Sequence, residues 1–192
     1  MRILVAGASG VLGRATLPHL GRHHVVGLTR TPEKTRLIEE LGAEGIVCDA
    51  YDHPALVRVV QEARPQIVVN FLTDLSGGAA KANNRVRRDG AANLLDAAEA
   101  SGAERLVVES VAFPLDDEGT LAIRVLERST RAFAGEALIL RFGRLWGAGT
   151  FHSVPPDPPR AQIGAAGAEA ARLITEGTPG THTVVDRELA GW

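Results

Sequence analysis

Ile3-Leu4-Val5-Ala6 runs directly into Gly7-Ala8-Ser9-Gly10-Val11-Leu12-Gly13, and no other stretch narrows the fold of this chain as much. A short, continuously apolar run suits a strand buried on both faces of a parallel sheet. Leu12, Leu17 and Leu20 are spaced for one side of a helix over about residues 11–20. Glycines at every third position between such a strand and such a helix mark a strand–turn–helix unit. Gly7 permits the tight turn, Gly10 lets a ligand approach bare backbone, and Gly13 allows the helix to pack closely. The free N–H groups and dipole at the helix start favour an anion such as phosphate. The alternative is that these glycines serve only the geometry of the turn.

The pattern repeats along the chain. Val25-Val26-Gly27-Leu28, Gly45-Ile46-Val47, Ile67-Val68-Val69, Leu106-Val107-Val108 and Ala137-Leu138-Ile139-Leu140 read as strands two to six. Between them lie a helix with Pro32 in its first turn, Thr31 as cap and Gly42 at its end, and one capped by Asp52. A long helix over 79–100 and another over roughly 120–134 complete the series. Strands and helices alternating at this interval make βαβ units with right-handed crossovers. The fold class is α/β, a Rossmann-type three-layer sandwich around a mostly parallel sheet, with a reduced C-terminal lobe. Residues 1–150 form the binding domain in this reading. Residues 151–192 supply a proline-rich segment (Pro155, Pro156, Pro158, Pro159), a helix near 165–175 and a last strand at His182-Thr183-Val184-Val185, packed on the main domain.

Composition excludes several alternatives. The 192 residues carry a formal net charge of -2, which argues against a nucleic-acid partner. The single cysteine, Cys48, rules out an internal disulfide and a cysteine-rich metal site, and a small buried thiol is its simplest role. No apolar run approaches the roughly 20 residues of a membrane helix, and the chain opens without a signal-peptide pattern, so a cytoplasmic location is expected. Lys34 and Lys81 are the only lysines, which leaves any lysine-dependent mechanism two candidates.

A dinucleotide is the ligand that this architecture takes beyond the carboxyl ends of its strands. Gly7, Ser9, Gly10, Val11, Leu12 and Gly13 form its expected phosphate loop. An acid at the end of strand two would accept from the ribose of NAD, but this chain has Thr29-Arg30-Thr31. The Arg30 fork suits the 2′-phosphate of NADP, with Thr31 and Lys34 near; the alternative is a solvated loop arginine. NADP is therefore favoured and NAD is retained as an option. Asp49-Ala50, after strand three, either lies beside the adenine or caps a turn. Asn70, Phe71, Leu72 and Thr73 after strand four, and Ser110 after strand five, line the path toward the nicotinamide.

With "ILVAGASGVLG", "LTRTPEK", "DGAANLLDAAEASGAERLVVES" and "LILRFGRLWGAGT", the chain resembles the short-chain dehydrogenase/reductase superfamily in its extended or atypical NAD-dependent epimerase/dehydratase branch, over about residues 1–152. The resemblance implies a catalytic serine after strand five, matched by Ser110, and a Tyr-x-x-x-Lys pair on the following helix. That helix reads Gly119-Thr120-Leu121-Ala122-Ile123-Arg124-Val125-Leu126-Glu127, with neither residue. The only tyrosine is Tyr51, in the adenosine half. Acid–base catalysis worth about 10²–10⁴-fold is thus missing in its usual form. Arg124 stays protonated and makes a poor donor. Most soluble oligomers are symmetric pairs, so a homodimer is expected, and the resemblance implies that the helices following strands four and five form its contact surface. Two readings stay open: an atypical NADP-dependent oxidoreductase acting on a small carbonyl or hydroxyl substrate, with Ser110 orienting the substrate oxygen, and a non-catalytic NADP-binding sensor.

Overall fold

Alternating apolar side chains on each strand face two helical layers, and that alternation builds the core. The computed structural model describes residues 1–74 and 80–186. Its strands are β1 (Arg2–Ala6), β2 (His24–Thr29), β3 (Glu44–Val47), β4 (Ile67–Asn70), β5 (Arg105–Val111) and β6 (Glu136–Phe142), then β7 (Arg144–Trp146), β8 (Arg160–Gln162) and β9 (Gly180–Val184). Seven of these form one parallel sheet in the order β3-β2-β1-β4-β5-β6-β9, while β7 and β8 pair as a small parallel ribbon. The doubly wound order confirms the sequence reading, and the last expected strand takes the edge beside β6.

The helices are α1 (Val11–Thr16), α2 (Thr35–Glu40), α3 (His53–Ala63), α4 (Ala80–Arg85), α5 (Ala91–Ser101), α6 (Asp117–Arg131) and α7 (Ile163–Glu176). Ile3, Val5, Val69 and Val107 pack on one sheet face with Leu12 of α1, Ile38 of α2 and Ala170 of α7. Leu4, Val68, Leu106 and Val108 pack on the other with Leu56 and Val60 of α3, Leu94 of α5 and Leu126 of α6. Burying a side chain such as Leu4 or Val60 stabilises the fold by roughly 1.5–3 kcal/mol.

Several boundaries differ from the sequence expectation. The first helix tightens to a 3-10 turn at Leu17–Leu20 because Pro18 has no N–H for the α ladder. Thr31 makes no side-chain cap; its N–H donates to Thr29 Oγ1 (3.2 Å), and a 3-10 turn at Pro32–Lys34 leads into α2. Asp52 does cap α3, accepting from Ala55 N at 3.1 Å. The helix expected over 79–100 begins among the described residues at Ala80 and contains a π turn at Val86–Gly90; residue 79 lies outside them. Helix α6 starts three residues before its expected position because Asp116 accepts from Gly119 N at 2.7 Å.

Helix α7 lies against α1 through Gly167, where a Cβ would come within 2.3 Å of Ala15 O. Among the described residues no helix is long and apolar enough to cross a membrane, and no His/Cys/Asp/Glu cluster is placed to hold a metal.

Candidate functional site

The turn after β1 is held by two constraints. Gly7 has φ +83°, and a Cβ there would lie 2.2 Å from the Phe71 carbonyl oxygen. Gly10 N donates to Gly7 O (2.9 Å), and a Cβ on Gly10 would stand 3.1 Å from the same oxygen. Gly13 is needed where α1 folds back on its own loop, since a Cβ would come within 2.6 Å of both Gly7 O and Ala8 O. Gly10 opens α1 without a side-chain cap. The result is a cradle of bare backbone, of the kind a diphosphate needs.

A cleft opens over this loop at the carboxyl ends of β1 to β4. Gly7, Ser9 and Gly10 form one wall; Thr29, Arg30, Thr31 and Lys34 form a second. Asp49, Ala50 and Tyr51 follow β3, while Phe71, Leu72, Thr73 and Asp74 follow β4. Ser9 Oγ and Thr29 Oγ1 are 3.1 Å apart, which ties the glycine loop to the end of β2.

Arg30 Nη1 donates to Asp74 Oδ2 at 3.1 Å, bridging the cleft between the β2 and β4 ends. That hydrogen bond is the main reason the guanidinium is held above its ordinary pKa, with Asp49 and Tyr51 adding to it. Asp49 accepts from Tyr51 N (2.9 Å), as an Asx turn does, and Ala50 O accepts from Asn93 Nδ2 (2.9 Å). Arg85 lies over the Tyr51 ring at 4.3 Å, yet burial raises the phenol pKa.

Other expected residues take different places. Val11 and Leu12 lie on α1, outside the cleft lining, and Leu12 is buried in the core. Asn70 is buried, and its Oδ1 accepts from Leu72 N (3.1 Å), so it shapes the turn after β4. Ser110 is 1% exposed and donates to Glu127 Oε1 at 2.7 Å. Glu127 also accepts from Arg141 (2.7 and 2.6 Å) and Arg131 (2.8 Å). Burial alone would raise the Glu127 pKa, but the hydrogen bonds from Arg141, Ser110 and Arg131 outweigh it and bring the carboxyl to about 2.

Two groups lie outside the sequence reading. Asp74 carries no local signal, because only the folded chain brings it to Arg30. Glu109 does carry one, as a charge inside the apolar run of β5. It leaves the sheet on the face opposite Ser110, and burial pushes its carboxyl up to about 7, with Arg87 pulling the other way.

Residues 7–137 match the NAD(P)H-binding family. The 3-diazoavenalumate denitrifying reductase of a Streptomyces species is 35% identical over 184 residues, covering 78% of this chain. The chain spans 58% of the length of that relative. The UDP-glucose 4-epimerase of Thermus thermophilus, solved with NAD, superposes with TM-score 0.79 at 18% identity, over 98% of this chain and 78% of its own. WbmH of Bordetella bronchiseptica, solved with NAD+, gives TM-score 0.80 at 12% identity, over 97% and 76%. At these identities the two structures share the fold.

Proposed function

The chain belongs to the NAD(P)H-binding family, and from that premise we propose that it is an NADPH-dependent reductase whose substrate accepts hydride without needing a proton from the protein. The observation that carries this reading is a glycine cradle of bare backbone in a chain whose helix α6 has no tyrosine or lysine. A carbonyl acceptor would become an alkoxide and need a proton donor. An arenediazonium does not. Hydride forms the new C–H bond, the C–N bond breaks, and its electron pair leaves with dinitrogen. The 35% identical reductase, named for a diazo substrate and its denitrification, supports this class.

The residues divide the work. The backbone of Gly7 to Gly13 would hold the diphosphate, and Asp49 and Ala50 the adenosine end. Arg30 uses one Nη on Asp74, leaving other donors of its fork for a 2′-phosphate, with Thr31 and Lys34 beside it. Leu72 and Thr73 would border the path toward the nicotinamide. When bound, NADPH supplies the hydride. Ser110 acts in this reading as a positioning residue, fixing Glu127 and through it the β5–α6–β6 corner.

That commitment of Ser110 to Glu127 is also what favours the second reading, a non-catalytic NADP-binding sensor. A single-turnover assay separates the two. Oxidation of protein-bound NADPH by benzenediazonium, followed at 340 nm, is expected to exceed the protein-free rate by at least ~100-fold. A rate equal to the protein-free reaction would leave the sensor.

The assembly we favour is a homodimer, with a second copy covering exposed Leu121 and Val125 on α6. We place its work in the cytoplasm, where Cys48 stays a thiol.

A further inference from the structure

Beyond the cofactor half, the carboxyl edge continues over β5 and β6. These strands pair in register, with Val111 opposite Phe142. Two residues further along each chain stand Phe113 and Arg144, and the guanidinium of Arg144 lies over the Phe113 ring at 4.7 Å from its centroid. Both ends are pinned. Ala112 N donates to Phe142 O (2.8 Å), which ties the chain before Phe113 to β6. Gly143 N donates to Val184 O (3.0 Å) and Arg144 N to Pro159 O (2.9 Å). Gly143 makes this approach possible, since a Cβ there would lie 2.7 Å from the backbone of Arg160.

The charge of Arg144 is left open. Arg141 is neutralised by Glu127, Arg160 stands 3.8 Å from Asp186, and Arg105 pairs with Glu136. Arg144 has no carboxylate partner among the described residues. Its side chain makes one long hydrogen bond, from Nη1 to Asp157 O at 3.5 Å. The Phe113 ring covers one side of the guanidinium and the one long bond occupies a single Nη, so the fork keeps other N–H donors that match the two oxygens of a carboxylate. Stacking on a fixed ring also reduces the rotamer freedom lost when the fork engages a ligand.

We infer that Arg144, held on Phe113, recognises the carboxylate of the substrate, and that the substrate is therefore a small organic acid. Joined to the reductase reading, on which it rests for the chemistry, this makes the substrate an arenediazonium that also bears a carboxylate. Arg144 would bind the acid group at the β5–β6 end and so fix which part of the molecule reaches the nicotinamide.

The test uses cinnamate and its neutral analogue cinnamamide, titrated by calorimetry into the protein with and without saturating NADPH. Cinnamate is expected to bind about 10- to 100-fold more tightly than cinnamamide. Arg144→Gln should abolish that preference while leaving NADPH affinity unchanged, and Arg144→Lys should restore only part of it. Equal affinity for the two ligands, no cinnamate binding, or a preference that survives in Arg144→Gln would overturn the inference. A protein that prefers cinnamate but binds no NADPH would refute the cofactor reading and leave this assignment standing.

Discussion

Gly7→Ala is expected to cost about 3–5 kcal/mol of stability and to abolish measurable NADPH binding. Two penalties coincide at this position. Its φ of +83° is unfavourable for an L side chain, and the new methyl would stand 2.2 Å from the Phe71 oxygen. Neither strand can yield cheaply. Phe71 N donates to Ala6 O at 2.9 Å, so the carbonyl is fixed by the same β1–β4 pairing that carries Gly7. Relief therefore means prising open the centre of the sheet.

Gly10→Ala is the control. Its backbone (φ -72°, ψ 174°) suits any residue, and its Cβ meets only Gly7 O at 3.1 Å. That variant should keep its stability to within about 1 kcal/mol while losing cofactor affinity, because the methyl occupies the phosphate cradle. Thermal unfolding and NADPH titration of both variants check the pair. A Gly7→Ala protein as stable as the parent would contradict the geometry of the turn.

Glu127→Gln should destabilise the protein by about 2–4 kcal/mol at pH 7. Glu127 is 4% exposed and collects hydrogen bonds from Ser110, Arg131 and Arg141, joining β5, α6 and β6 at one corner. Glutamine keeps the shape but loses the charge, and its amide turns a donor toward one of these donors. The two arginines retain partial contact with water, which holds the loss below that of a fully buried pair.

The pH dependence has a definite sign. The folded carboxyl titrates at about 2, below its ordinary 4.5. Its contribution is therefore complete above pH 4.5 and is lost as the pH falls from there toward 2. Urea unfolding at pH 7 and at pH 3 should show the gap between parent and variant narrowing at the lower pH. A gap that stays constant would mean that the carboxylate charge is not what holds this corner.

The sheet was legible because its strands are short apolar runs at regular spacing, and the glycine loop because its spacing falls between the first strand and helix. Helix limits were less so. Pro18 and Asp116 each moved a boundary through a single missing or added hydrogen bond. The positions of Gly7, Gly10 and Arg30 at the ends of β1 and β2 were readable, since each lies within one βα unit whose geometry is local.

What the sequence could not reveal depends on register. Arg30 meets Asp74 across the cleft, and Arg144 meets Phe113 only because Val111 pairs with Phe142. Ser110 was expected after strand five, but β5 runs on to Val111 and includes it. Its face depends on parity along the strand, which turns it toward Glu127 and leaves Glu109 on the opposite side.

The most direct measurement is a fluorescence titration of the protein with NADPH and NADH, with Arg30→Ala in parallel. NADPH is expected to bind more tightly than NADH, and Arg30→Ala to weaken NADPH by about 10- to 100-fold with a smaller effect on NADH. A folded protein that binds neither nucleotide, or an NADPH affinity unchanged in Arg30→Ala, would contradict it.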